Sequence, residues 1–186
     1  MLNLYAGFLG LLIACTPILF ALLIRGSYED AYQQMPILFL SMFFSCMSTF
    51  LGGIYIAFKA TKSVGITTML AALCNFVVDL ALIRHIGLYA ASGSTLISYA
   101  FLFAYRMVDV RKLVEIRYNA LQMVFTMSFL VVESVLCYIN SFYTNCANVI
   151  LGTIIFLVLN KALVKGFFVK GTAFTRKMYN RFIRRK

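Results

Sequence analysis

Ile54-Tyr55-Ile56-Ala57-Phe58-Lys59-Ala60-Thr61-Lys62 opens residues 54–117, the stretch from which the fold is read. An apolar run follows, holding Asn75 and Asp79, and it breaks at Arg84-His85-Ile86-Gly87. A second run resumes with Leu88-Tyr89-Ala90-Ala91-Ser92 and passes Ser98-Tyr99. It ends in a basic cluster of Arg106, Arg111, Lys112 and Arg117. Two apolar segments of membrane-spanning length thus lie between two positive patches, with a hairpin between them on the opposite side. The rest of the chain repeats or extends that pattern.

Composition points the same way. Of the 186 residues, 62% are hydrophobic and 12% charged, and mean hydropathy is +0.90. A soluble domain is about half apolar and carries about twice that share of charge. A bilayer is therefore the expected solvent. The net charge of +11 does not indicate nucleic acid. The basic residues sit in short loops and in the tail, where the positive-inside rule puts them, and no basic groove with stacking aromatics is visible. Cys15, Cys46, Cys74, Cys137 and Cys146 show no metal or redox spacing, and His85 is the single histidine. They read as small apolar residues. There is no phosphate-binding glycine loop and no nucleophile elbow, so neither a cofactor nor a metal is expected. Residues 1–24 carry no charge, so the positive n-region of a cleavable signal peptide is missing.

Six spans are predicted, over about residues 4–24, 36–58, 64–83, 86–105, 119–140 and 145–164, followed by a basic tail over 165–186. Each span is near the ~20 residues that cross a ~30 Å hydrocarbon core as a helix. The runs are too long and too evenly apolar for barrel strands. The fold class is an all-α polytopic membrane protein. Pro17 should kink the first span, and Pro36 should sit in the first turn of the second. Lys59, Lys62, Arg106, Arg111, Lys112, Arg117 and the tail's eight basic residues fall on one side, against Arg25 and Arg84 on the other. Both termini are therefore expected in the cytoplasm. The tail alternates Phe167, Phe168, Phe174 and Phe182 with Lys170, Arg176 and Arg181, a pattern that can rest on anionic membrane lipids.

Ionisable groups at membrane depth are candidates for function because they are costly there. Asp79 and Glu133 are the two, both expected in the outer part of the bilayer at similar depth. A proton, a cation or a polar cargo can use them if their helices face one cavity. Asn75 lies one helical turn before Asp79 on the same face. Arg84 and His85 are close enough in sequence to pair with Asp79. Gly87, Ala90, Ala91, Ser92, Gly93 and Ser94 form a small-residue patch suited to close helix packing. Gly52-Gly53 can serve the same end. Tyr55, Tyr99 and Tyr138 can present hydroxyls to a sugar.

In order, the chain has a proline-containing helix and an acidic turn, Tyr28 to Ala31. A helix ending Tyr55-Ile56-Ala57-Phe58-Lys59-Ala60-Thr61-Lys62 follows. Then come a helix with Asn75 and Asp79, and Gly87-x-x-Ala90-Ala91-x-x-x-Thr95-x-Ile97-Ser98-Tyr99. Over about residues 4–117 this resembles the oligosaccharide flippases of bacterial surface-polysaccharide synthesis. These flippases belong to the multidrug/oligosaccharidyl-lipid/polysaccharide exporter superfamily. That family has Gly-x-x-Gly-Ala-Ala where this chain has Gly87-Leu88-Tyr89-Ala90-Ala91-Ser92, and an asparagine where Asp79 stands. The resemblance implies part of a two-lobe, 12–14-helix transporter: the last four helices of the second lobe and two extra ones, with the first lobe absent or supplied by a second chain. It implies movement of an undecaprenyl-pyrophosphate-linked oligosaccharide across the bacterial inner membrane for O-antigen or lipopolysaccharide assembly. Alternatives are a drug or cation exporter of the same superfamily and a non-functional truncated remnant. An enzyme is not expected, because the external loops are short and hold no catalytic group.

Overall fold

A computed structural model describes residues 2–23, 29–114, 119–139, 141–161 and 165–166. The basic tail beyond residue 166, Arg25 and Arg117 lie outside the described residues. Six α-helices follow one another: α1 (Leu2–Leu23), α2 (Glu29–Ala57), α3 (Thr61–Ile86), α4 (Leu88–Asp109), α5 (Ala120–Ile139) and α6 (Phe142–Leu159). A single 3-10 turn, Val110–Lys112, extends α4, and no strand occurs among the described residues. The chain is an all-α membrane protein, and each helix overlaps one predicted span.

Four helices are long and apolar enough to cross a membrane by themselves: α1, α2, α3 and α5. The apolar part of α6, Tyr143–Leu159, is slightly shorter. The 22 residues of α4 are long enough, but the helix carries Ser92, Ser94, Ser98 and Arg106, all buried. Those polar groups point into the bundle, so α4 does not need apolar residues all round. In contrast, α3 buries only Thr67 and Ala71 fully. It exposes Met69, Leu73, Phe76, Val77 and Leu80, a surface suited to lipid tails or to further apolar helices.

Two boundaries differ from the sequence reading. The second helix starts at Glu29, so Tyr32, Gln33 and Gln34 are helical, and Pro36 lies inside the helix, fully buried. The first helix runs through Pro17 without interruption. In an apolar bundle, neighbouring helices and local adjustment can absorb the lost backbone bond.

The turns are tight. α2 ends in a Schellman pattern: Ala60 N–H donates to Tyr55 O (2.8 Å) and Lys59 N–H to Ile56 O (3.0 Å), with Lys59 at φ 59°. Between α3 and α4 only Gly87 intervenes, at φ 56° and ψ −128°, a backbone state suited to a residue without a Cβ.

The helices form two groups of three. α2, α3 and α4 pack together, and so do α1, α5 and α6; α2 also touches α1 and α5 and joins the groups. One apolar cluster, with Ala6, Leu9, Ile13, Phe43, Phe129, Leu130 and Cys137, fills the joint of α1, α2 and α5. A second, with Leu51, Tyr55, Phe103 and Val110, ties α2 to α4 and the 3-10 turn.

Candidate functional site

Polar side chains gather at the two ends of the bundle and at two interior points. At the end holding the α3–α4 turn, the first turns of α2 act as a tie. Tyr32 O–H donates to Cys137 O (3.1 Å). Tyr138 O–H donates to Gln33 O (2.6 Å). Tyr89 O–H and Ser92 O–H donate to the side-chain carbonyls of Gln33 and Gln34. One helix start thereby holds both α4 and α5. From sequence, Tyr138 was singled out for its hydroxyl and Ser92 only as a small packing residue; Gln33 and Gln34 were not singled out.

At the basic end, Tyr55 O–H and the Lys112 ammonium both donate to Asp109, each at 2.8 Å. Lys112 first, and then Tyr55, hold the Asp109 carboxyl below the usual carboxylate range. A lowered carboxylate value contributes stability that is complete above the unfolded value of about 4 and is lost as pH falls through the folded one. Asp109→Asn is therefore expected to flatten the acid limb of stability against pH, measured as the thermal unfolding midpoint in detergent between neutral and acidic pH. At the same end, Asn160 Nδ2 donates to Asn3 O (3.1 Å), and Gln122 Nε2 donates to Asn3 Oδ1. These bonds clamp α1, α5 and α6.

The first interior point is Arg106, which the sequence placed in a solvated basic loop. It is only 4% exposed. Its Nη1 donates to Ser48 O (2.9 Å) and its Nε to Thr67 Oγ1 (3.1 Å). Nη2 reaches Thr67 Oγ1 (3.0 Å), Thr68 Oγ1 (2.8 Å) and Val64 O (3.3 Å). Arg106 thus links α4 to α2 and α3 entirely through neutral oxygens. Gly52 makes room for it, since a Cβ there would lie 3.1 Å from Nη1. A signal existed in the sequence: Gly52, Thr67 and Thr68 are small or hydroxylated residues on spans otherwise rich in bulky apolar ones.

The second interior point is Glu133, on α5 and 0% exposed. Neither carboxyl oxygen has a hydrogen-bond partner among the described residues. Glycines close on it from two helices. A Cβ on Gly10 would lie 2.5 Å from Oε2, and a Cβ on Gly152 would lie 2.8 Å from Oε1. Asn148 Nδ2 donates to the backbone oxygen of Glu133 (3.2 Å). The carboxyl is level with Gly10, seven residues beyond Asn3, and with Gly152, eight residues before Asn160. At 1.5 Å per residue it lies about 10–12 Å from the clamp at the basic end, near the middle of a ~30 Å core, and not in the outer part expected from its place in the sequence, because a helical side chain leans back toward the helix N-terminus.

The other predicted residues are spread out. Asp79 is half-buried, and its Oδ1 is turned into the protein without a partner. Asn75 is half-buried on the same helix, while Arg84 and His85 are exposed and form no ion pair with Asp79. Among the described residues α3 packs on α2 and α4 and not on α5, so the helices of Asp79 and Glu133 do not face each other and the condition set for a joint site is not met. In the small-residue patch, Ala90, Ser92 and Ser94 are buried. Ala91 is exposed, and a Cβ on Gly93 would meet nothing within 4 Å. Close helix packing thus falls to Ala90 and the serines. Gly87 serves the turn.

No family model matches the chain, and no curated protein and no solved structure matches it.

Proposed function

We propose that the chain is part of a membrane transporter that moves a lipid-linked oligosaccharide of the undecaprenyl-pyrophosphate type between leaflets of the bacterial cytoplasmic membrane. Both termini lie on the cytoplasmic side in this reading, since the basic residues of the α2–α3 and α4–α5 connections and of the tail mark that face. The order of motifs from the proline helix to Ser98-Tyr99 suggests the cargo. The observation that carries the transport reading is that both acids at membrane depth turn carboxyl oxygens into the helix packing without a protein partner. Ionisable groups in that setting are rare and costly, and they mark substrate or ion pathways. The bundle supplies one half of an alternating-access machine, and a second lobe or second chain supplies the other. The exposed apolar face of α3 leaves room for such a neighbour.

Deletion of the coding sequence tests this. The lipid-linked repeat unit should accumulate in the cytoplasmic leaflet, surface polysaccharide should fall, and the native chain should restore export. Asp79→Asn and Glu133→Gln chains, present at native level in the membrane, should each export at least tenfold less. If surface polysaccharide persists after deletion and resistance to cationic drugs falls instead, the cargo is a drug and the oligosaccharide reading is wrong. Full export by both variants would remove the two acids from the mechanism.

A further inference from the structure

The seam between α1 and α6 surrounds Glu133, one of the two acids on which the transport reading rests. On α1 the residues facing it are small: Gly7, Gly10 and Ala14 follow at helical spacing. A Cβ on Gly7 would lie 2.6 Å from Asn160 Nδ2, and one on Gly152 would lie 3.2 Å from the Ala14 Cβ. The two backbones therefore run close together. Glu133 enters this seam from α5, with Gly10 on one side of its carboxyl, Gly152 on the other and the Phe129 ring against Gly10.

We propose that Glu133 is a proton-binding site built into the α1–α5–α6 seam. Among the described residues, the helices packed around it offer no charge to offset a carboxylate. α1 and α6 contain no acidic or basic residue, and α2, the remaining helix packed on α5, has only Glu29 and Asp30 in its first turn. The titratable groups on these elements are Tyr5 and Cys15 of α1, Tyr32, Cys46 and Tyr55 of α2, Cys137 and Tyr138 of α5, and Tyr143 and Cys146 of α6. All are neutral at ordinary pH when unperturbed. A carboxylate packed without a partner or counter-charge is strongly disfavoured. A metal ion needs several oxygen ligands in a shell, whereas the residues placed against this carboxyl are Gly10 and Gly152, with the Phe129 ring beside Gly10, and the nearby Asn148 amide is turned to the Glu133 backbone oxygen. A proton adds almost no volume and neutralises the group where it stands.

Loss of that proton has a mechanical consequence. The charge must then draw in water, and the seam admits water only by parting. Further along the same two helices the seam is already open. Pro17, Ile18 and Leu22 of α1 face Val149 and Ile150 of α6 across an apolar groove of about 670 Å³. Deprotonation of Glu133 would extend that groove toward the middle of the bundle. This inference stands apart from the transport reading, because it concerns an equilibrium of the chain itself whatever the cargo.

Infrared spectroscopy of the purified protein in lipid nanodiscs tests it. With ¹³C-labelled glutamate, the three glutamates, Glu29, Glu115 and Glu133, separate from the aspartates. At pH 7 a protonated glutamate C=O band is expected, absent from Glu133→Gln and retained in Asp79→Asn. In parallel, from neutral pH upward, the thermal midpoint of the native protein should fall as pH is raised, and that of Glu133→Gln should fall less. No protonated glutamate band at pH 7 in the native protein would overturn the proposal even if Glu133→Gln does not fold. A native midpoint that rises with sodium at fixed ionic strength would also overturn it, in favour of a metal cation. Because no cargo enters these measurements, their failure is distinct from failure of the export test.

Discussion

Replacing Arg106 by alanine is expected to lower the unfolding free energy by about 3 kcal/mol, five interhelical hydrogen bonds at about 0.6 kcal/mol each. The side chain is the polar tie among α2, α3 and α4, and its acceptors sit on two different helices. The loss is kept from being larger because the partners are not orphaned. Thr67 and Thr68 still donate to Val64 O (3.1 and 2.8 Å), and helix carbonyls keep their backbone bonds. Arg106→Lys should recover only part of the loss, because one ammonium cannot span Ser48 O and the two threonine hydroxyls as a planar fork does. Gly52→Ala should act in the same direction with smaller effect, since its Cβ at 3.1 Å crowds Nη1. Reversible unfolding in mixed detergent micelles reads all three. Lys112→Ala provides the contrast: its ammonium is exposed on a surface pair with Asp109, and the neutral-pH midpoint should scarcely move. If Arg106→Ala is as mild as Lys112→Ala, the buried fork does not hold the helices together.

Arg106 also shows where reading a sequence stops. The six helices follow from runs of apolar residues near the length that spans a bilayer, a property of each segment alone. Side-chain partnership is a property of pairs. A basic residue at the end of an apolar run has the same local signature whether it enters a loop or folds back into the bundle, so Arg106 read as solvated. The start of α2 was missed for a related reason: Tyr32-Gln33-Gln34 look like loop residues until Tyr32 is found to donate to Cys137, and Tyr89, Ser92 and Tyr138 to donate to the two glutamines. Asp79 and Glu133 were legible as unusual, because an acid inside an apolar run costs free energy wherever the run packs. Their separation was not legible. It depends on α3 lying outside α2 and α4, which no span length encodes. Gly93 illustrates the reverse error, a small residue read as a packing contact whose Cβ position is open.

The second large effect joins two residues distant in sequence. Gly152→Ala is expected to destabilise the native protein by about 1–3 kcal/mol, the usual cost of forcing volume into a packed site. The new Cβ would meet Glu133 Oε1 at 2.8 Å and the Ala14 Cβ at 3.2 Å. A glutamate tip on a surface would swing aside. Here Gly10 blocks the other side, with its own Cβ position 2.5 Å from Oε2, so relief requires α1 or α6 to move. If the carboxyl is the obstruction, removing it should remove most of the penalty. In a Glu133→Ala background, Gly152→Ala should cost about 1–2 kcal/mol less than in the native one, a coupling within the range for side chains in direct contact. The residual would belong to Ala14. Gly53→Ala and Gly65→Ala supply the reference for helix propensity, since a Cβ at either position meets nothing within 4 Å. Each should be neutral or stabilise by up to about 1 kcal/mol. The same substitution thus has opposite signs at different glycines of one protein. Additive single and double variants would mean that Glu133 does not lie between the two backbones, and the closed seam around its carboxyl would have to be abandoned.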